Sequence, residues 1–190
     1  VEVLRGMFAV AIWDASKQVL VLARDRLGKK PLYFQREGPR LWFASELKCL
    51  LARPGLTQEV DLVAVDQYLS YRYVPAPRTI VRGVEKLPPG HLLTWRAGAT
   101  DVRRYWHLKY PRRSAPSSPV DVGELQEQLR DQLLESTRIR LLSERPLGAF
   151  LSGGLDSSAV VAAMARTSSK RISTFSIGFE EEQFNELPYA

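Results

Sequence analysis

The chain of 190 residues is 45% hydrophobic and 25% charged, ordinary globular values that exclude disordered and collagen-like classes. Its length suits one large domain or two small ones. The formal charge of +6 comes from scattered residues such as Arg24, Lys29, Arg103 and Arg112 rather than a basic stripe. Solvated faces account for it, and a nucleic-acid partner is not indicated.

The opening residues Val1 to Arg5 lack the basic segment, apolar stretch and cleavage site of a signal peptide. No apolar run approaches the length that spans a bilayer, so no membrane partner is expected. Cys49 is a single cysteine and cannot build a disulfide framework, which points to the cytoplasm.

The first half reads as short strands. Met7 to Trp13 is continuously apolar and predicts a strand buried on both faces. Asp14 to Lys17 turns the chain into Val19 to Ala23. A longer turn over Arg24 to Pro31 leads to Leu32 to Gln35, and Glu37-Gly38-Pro39 leads to Leu41 to Ala44. Four strands on short turns predict an antiparallel meander. Ser45 is placed to cap a helix over Glu46 to Ala52, and Asp61 to cap a second over Leu62 to Tyr71. A hairpin is expected with His91 to Arg96 against Val102 to Trp106, its tip at Ala97-Gly98.

Arg112 to Pro119 has no apolar pattern and several breakers, which makes it a linker. Beyond it the period turns helical. Asp121 and Glu124 resemble a capping box, and Val122, Leu125, Leu129 and Leu133 share one face of a helix that Pro146 ends near residue 144. A strand over Leu147 to Leu151, a helix over Ser157 to Arg166 and a strand over Ile172 to Ile177 follow. That order implies two parallel strands with a right-handed connection.

The run Ser152-Gly153-Gly154-Leu155-Asp156-Ser157-Ser158 lies between that strand and helix. At the carboxyl end of a parallel strand, loop and first-turn N–H groups form an anion site aided by the helix dipole. The glycines let a phosphate approach the backbone, and the hydroxyls of Ser152, Ser157 and Ser158 add donors. A carboxylate there, Asp156, suits a bound Mg²⁺ bridging phosphate oxygens. Six fixed residues co-occur by chance on the order of once in ten million positions. The competing structural reading is a Gly-rich turn with Ser157 as an ordinary helix cap.

The run is not a Walker A loop, since it lacks Gly-Lys-Ser/Thr. It resembles the PP-loop of ATP pyrophosphatases. Gly6 to Asp14, Ala23 to Tyr33, Ala44 to Lys48 and Pro146 to Ser158 stand in the order of the glutamine-hydrolysing asparagine synthetases, and the whole chain resembles that family. Tyr73 to Ile80 and Leu87 to His91 resemble its connecting region. The resemblance implies an α+β then α/β architecture. An antiparallel glutaminase-type (Ntn) sheet portion occupies residues 1–108, a linker 109–120, and a parallel PP-loop portion, adenine nucleotide α-hydrolase-like, 121–190.

It further implies that Ser152, Gly153, Gly154, Asp156, Ser157 and Ser158 hold the pyrophosphate of ATP and its Mg²⁺, with Leu151 and Ile177 lining the adenine. The implied activity joins glutamine-derived ammonia to an aspartate side chain activated as an acyl-adenylate. Small molecules are the implied partners, and a homodimer is an admissible assembly. In the family the nucleophilic cysteine and the glutamine-binding segments precede the region matched here, so the chain reads as a fragment, inactive by itself. A β-lactam synthetase-like cyclase, an amidotransferase for a cell-surface or peptide precursor, a PP-loop enzyme acting on tRNA and a non-catalytic binding module remain alternatives.

Among the remaining residues, Cys49 is expected to pack within its apolar helix rather than act as a nucleophile. His91 and His107 are too few for a metal site. Asp25 is expected to fix its turn by Asx-type hydrogen bonds, and Glu180 to Glu182 to form a solvated loop.

Overall fold

The Asp14 carboxylate reverses the chain at the first hairpin. Its Oδ1 accepts hydrogen bonds from the Ser16 and Lys17 amides at 3.0 and 3.1 Å, joining β1 (Ala9–Asp14) to β2 (Val19–Arg24). The computed structural model describes residues 1–56, 58–110 and 121–190. The chain divides into two units, Val1–Pro111 and Arg112–Ala190. From residue 111 onward the expected linker lies outside the described residues. Among the described residues no helix is long and apolar enough to cross a membrane.

In the first unit the strands form two antiparallel sheets rather than one meander. After β2 come β3 (Tyr33–Glu37), β4 (Arg40–Ala44), α1 (Leu47–Leu51), α2 (Leu62–Tyr71), β5 (Val84–Lys86), β6 (His91–Arg96) and β7 (Ala99–Arg104). One sheet runs β1-β2-β6-β7 and the other β4-β3-β5. The meander expectation fails at Arg24 to Pro31, which carries the chain from the first sheet to the second instead of returning it beside β2. Leu22 of β2, Phe34 of β3, Leu93 of β6 and the connecting residues Leu32 and Leu87 form one buried cluster fed by both sheets. Each such side chain contributes about 1.5–3 kcal/mol by leaving water. A second cluster, Leu50, Val81 and Val84, seats α1 against the second sheet.

Several local expectations shift. β1 is apolar from Ala9 to Trp13 but stands at the end of its sheet, and Ile12 and Trp13 are 57% and 48% exposed, so it is not buried on both faces. Continuous hydrophobicity reports what a strand tolerates, not what covers it. Glu46, not Ser45, occupies the N-cap of α1, with no side-chain capping bond. Asp61 does cap α2, accepting from Val63 and Ala64. The β6–β7 hairpin is tighter than expected. Ala97 and Gly98 both have positive φ, the signature of a two-residue type I′ turn, which starts β7 at Ala99 rather than Val102.

The second unit contains α3 (Val122–Arg138), β8 (Gly148–Phe150), α4 (Leu155–Thr167) and β9 (Ser173–Phe175), followed by 3-10 turns at Glu182–Phe184 and Leu187–Tyr189. Asp121 caps α3 through the Gly123 and Glu124 amides. The Glu124 carboxylate accepts from Gln128 rather than reaching back. The helix stops at Arg138, before Pro146, and packs against α4. Val122, Leu125 and Leu129 on its shared face are exposed. β8 and β9 pair in parallel, with Phe150 opposite Phe175. A Cβ at Gly148 would stand 2.5 Å from the exposed Phe175 ring and 3.0 Å from the Ser173 carbonyl, so a larger residue there must displace that ring.

Candidate functional site

The run Ser152 to Ser158 joins the end of β8 to α4, and both of its ends are tied. Leu151 donates its N–H to the Phe175 carbonyl at 2.9 Å, extending the parallel pairing by one residue. Its own carbonyl accepts from the Ser176 hydroxyl at 2.7 Å. On the other side Gly154 is the N-cap of α4, and its carbonyl accepts from Ser158 N at 3.0 Å. The helix therefore begins at Leu155, two residues earlier than the sequence suggested, and Ser157 lies in its first turn rather than at its cap. Leu155, Asp156 and Ser157 are thus first-turn residues whose N–H groups have no intrahelical acceptor. They carry the positive end of the helix dipole.

The hydroxyls of Ser152 and Ser157 stand 3.0 Å apart, and Ser157 donates to the Gly154 carbonyl at 3.0 Å. The Ser152 amide approaches Ser157 Oγ at 3.4 Å. These contacts fold the loop on itself around two hydroxyls that become available to a ligand by rotation. Asp156 and Ser158 are exposed. Asp156 forms no ion pair among the described residues, which also include no cluster of three metal-ligating side chains. Leu151 is half-buried, and Ile177, two residues past β9, is 65% exposed.

Gly153 and Gly154 differ in role. A Cβ on Gly154 would make only ordinary contacts, with Ser152 Oγ at 3.4 Å and Ser157 Oγ at 4.0 Å, so no backbone crowds this position and it is the exposed one of the two glycines. Gly153 has φ of +76°, and a Cβ there would meet the Tyr189 carbonyl carbon and oxygen at 2.6 Å. Its missing side chain makes room for the 3-10 turn Leu187–Tyr189, not for an anion. Sequence reasoning assigned no part to Tyr189 or Ser176. A hydroxyl one residue past a strand and an aromatic residue 31 positions beyond Ser158 carry no local signal. A cavity of about 670 Å³ lies beside Tyr189, lined also by Glu182, Gln183, Asn185, Glu186 and Pro188.

The remaining tempting residues fall outside this constellation. Asp25 is 1% exposed. Its Oδ1 accepts from the Leu27 and Lys29 amides at 3.2 and 2.9 Å, and its Oδ2 from Lys30 at 2.9 Å, so it fixes the turn as expected. Burial pushes that carboxyl up, but the backbone donors outweigh burial and hold it below the usual carboxylate range. Cys49 is exposed rather than packed in a core. On the five-residue α1 it is Leu50 that turns inward. His91 Nδ1 lies 2.7 Å from the Pro89 carbonyl, and His107 is exposed.

Residues 1–106 match the family model for a glutamine amidotransferase domain, and residues 128–190 the model for asparagine synthase. The chain is 37% identical over 190 residues to asparagine synthetase (glutamine-hydrolyzing) 1 of Bacillus subtilis, covering 98% of this chain and 29% of the relative. To asparagine synthetase (glutamine-hydrolyzing) 3 of the same organism it is 35% identical over 186 residues, 95% of this chain and 30% of that one. Amidase chyE of Penicillium rubens is 38% identical over 164 residues, 85% of this chain and 24% of the amidase. The chain therefore spans less than a third of the length of these three relatives.

Proposed function

This chain belongs to the glutamine-hydrolysing asparagine synthetase family, and from that premise we propose that it is part of a ligase coupling ATP cleavage to amide formation. In this reading residues 1–108 are the later part of an Ntn-type glutaminase domain with its connection. Residues 109–120 are a linker, and 121–190 open an adenine nucleotide α-hydrolase-like domain with a PP-loop. The carrying observation is the β8–loop–α4 unit, with Gly154 exposed and three first-turn amides lacking helical acceptors at the carboxyl end of a parallel strand.

The Leu155, Asp156 and Ser157 amides and the Ser152, Ser157 and Ser158 hydroxyls bind the pyrophosphate end of ATP. Leu151 and Ile177, on adjacent strand exits, flank the adenine. The donor set fits a magnesium nucleotide, since Asp156 is an exposed carboxylate without an ion pair among the described residues, beside amides that attract anions. Mg²⁺ at Asp156 would neutralise charge on the departing pyrophosphate. Held this way, the nucleotide presents its α-phosphate to the aspartate side-chain carboxylate. The acyl-adenylate so formed gives asparagine on attack by glutamine-derived ammonia, and excluding water keeps that ammonia unprotonated. The single cysteine supports a cytoplasmic setting.

The test uses the full-length protein with ATP, Mg²⁺, aspartate and glutamine. Equimolar AMP, pyrophosphate and asparagine are expected, and Asp156→Ala should lower aspartate-dependent pyrophosphate release about 100-fold. Release of ADP and phosphate, or an unaffected Asp156→Ala enzyme, refutes the assignment. A second reading keeps the loop chemistry and changes the acceptor carboxylate. The comparable identity to a relative that is not named an asparagine synthetase leaves room for it. Pyrophosphate release that ignores aspartate and responds to another carboxylate would select it.

A further inference from the structure

Gly153 and Gly178 are both constrained by one short segment that the nucleotide reading does not use. A Cβ on Gly153 would lie 2.6 Å from the Tyr189 main chain, and one on Gly178 would lie 2.5 Å from Leu187 Cδ1. Gly178 follows directly on Ile177, and Ser176, one residue earlier, donates its hydroxyl to the Leu151 carbonyl. The turn Leu187–Tyr189 thus touches the loop at one end and the exit of β9 at the other. It is itself held closed: Tyr189 N donates to the Glu186 carbonyl at 3.0 Å, Leu187 N to Asn185 Oδ1 at 3.3 Å, and Pro188 restricts φ.

Glycine visits left- and right-handed conformations about equally. Across Gly153 itself the Gly154 amide reaches Ser152 Oγ only at 3.5 Å, too long a contact to select φ of +76° there. What selects it is the surface against which Gly153 packs. We infer that the Leu187–Tyr189 turn is a positioning element for the nucleotide loop. It locks Gly153 in the left-handed conformation, so the amides and hydroxyls on either side stay aimed at one point.

The inference rests on the nucleotide reading for its consequence, though not for its geometry. Preorganisation is what an anion cradle contributes, since donors aimed in advance need no ordering when the ligand arrives. Releasing the turn leaves every donor in place and removes only its aim. Leu187 is the point of purchase, because within the turn it meets the Gly178 position through its side chain, whereas Tyr189 meets Gly153 through its main chain and Cβ. Shortening Leu187 loosens the turn without touching the loop.

The test compares the full-length wild type with Leu187→Ala, the double variant Leu187→Ala/Pro188→Gly and the refilling variant Leu187→Met. Two quantities are measured: affinity for Mg-ATP by titration calorimetry, and hydrogen exchange of the loop peptide in the unliganded protein. The double variant should bind ATP about tenfold more weakly and exchange the loop amides about tenfold faster. Exchange in β8 and α4 should be unchanged, and Leu187→Met should recover most of both effects. A purely structural role predicts instead that exchange rises through the whole second unit. Unchanged exchange and affinity in the double variant overturn the inference. Faster loop exchange in the double variant, with a wild type that binds no ATP, would retain the clamp and refute the nucleotide reading.

Discussion

Asp25 offers a quantitative test of how the first unit is held together. Its carboxylate accepts from three amides within its own turn, its carbonyl accepts from Gly28 and Gly90, and its N–H donates to Phe8. Arg24 beside it donates to the carbonyls of Lys30, Leu87 and Gly28, each at 2.8 Å. The Tyr105 hydroxyl closes the knot on the Arg24 carbonyl at 2.7 Å. Asp25→Asn keeps one acceptor oxygen but turns an NH₂ group towards a backbone donor. One charge-assisted bond is lost and one amide is left unpaired, which should cost about 2–3 kcal/mol. Asp25→Ala loses all three side-chain bonds and should cost about 4 kcal/mol or more, a large share of the roughly 5–15 kcal/mol that holds a domain folded.

All four tryptophans of these 190 residues, at 13, 42, 95 and 106, lie in this unit, so urea unfolding of this chain followed by tryptophan fluorescence reports on the unit. Because the folded carboxyl is held below its ordinary value near 3.8, its contribution is complete above that value. It fades as pH falls through the lower folded value. The gap between wild type and Asp25→Asn should therefore be constant from neutral pH down to about 5 and shrink below 3.8. A gap under about 1 kcal/mol at neutral pH, or one that widens on acidification, refutes the account.

Other substitutions probe separate contacts. Gly90→Ala places a Cβ 2.6 Å from the Trp106 carbonyl at φ of +67° and should cost about 2–3 kcal/mol in the same denaturation assay. Phe34→Ala empties the centre of the shared cluster and should cost about 3–5 kcal/mol. Cys49, exposed on α1, should react stoichiometrically with a thiol reagent without denaturant. Protection until unfolding would contradict its placement.

Local features of the fold were legible where a residue acts on its immediate neighbours. Asp61 and Asp121 cap the helices they precede, Asp25 binds its own turn, and Ala97-Gly98 turns a hairpin. What escaped was pairing at long range. β2 joins β6, some 70 residues away, because Leu22 and Leu93 bury on one face. No local pattern distinguishes that partner from the nearer β3. The same limit explains β1, whose apolar residues were read as buried although the sheet ends beside it, and Cys49, whose apolar neighbours were taken for a core.

The loop shows this limit in its sharpest form. Its letters and its strand–helix setting were readable, and the structure puts the run between β8 and α4. The reason for each glycine was not. Both were assigned to the approach of a phosphate, yet only Gly154 is exposed with room for a Cβ, while Gly153 is packed under Tyr189, 36 positions further along the chain. A motif compresses contacts with the ligand and contacts with the protein into one string, and only three-dimensional packing separates them. The two glycines should accordingly fail differently. Gly154→Ala, with room for its Cβ and an extended φ of −72°, should keep the loop's hydrogen-exchange pattern and lose nucleotide affinity in the full-length protein. Gly153→Ala should lose both. Equal exchange in the two variants would mean that the glycines share one role after all.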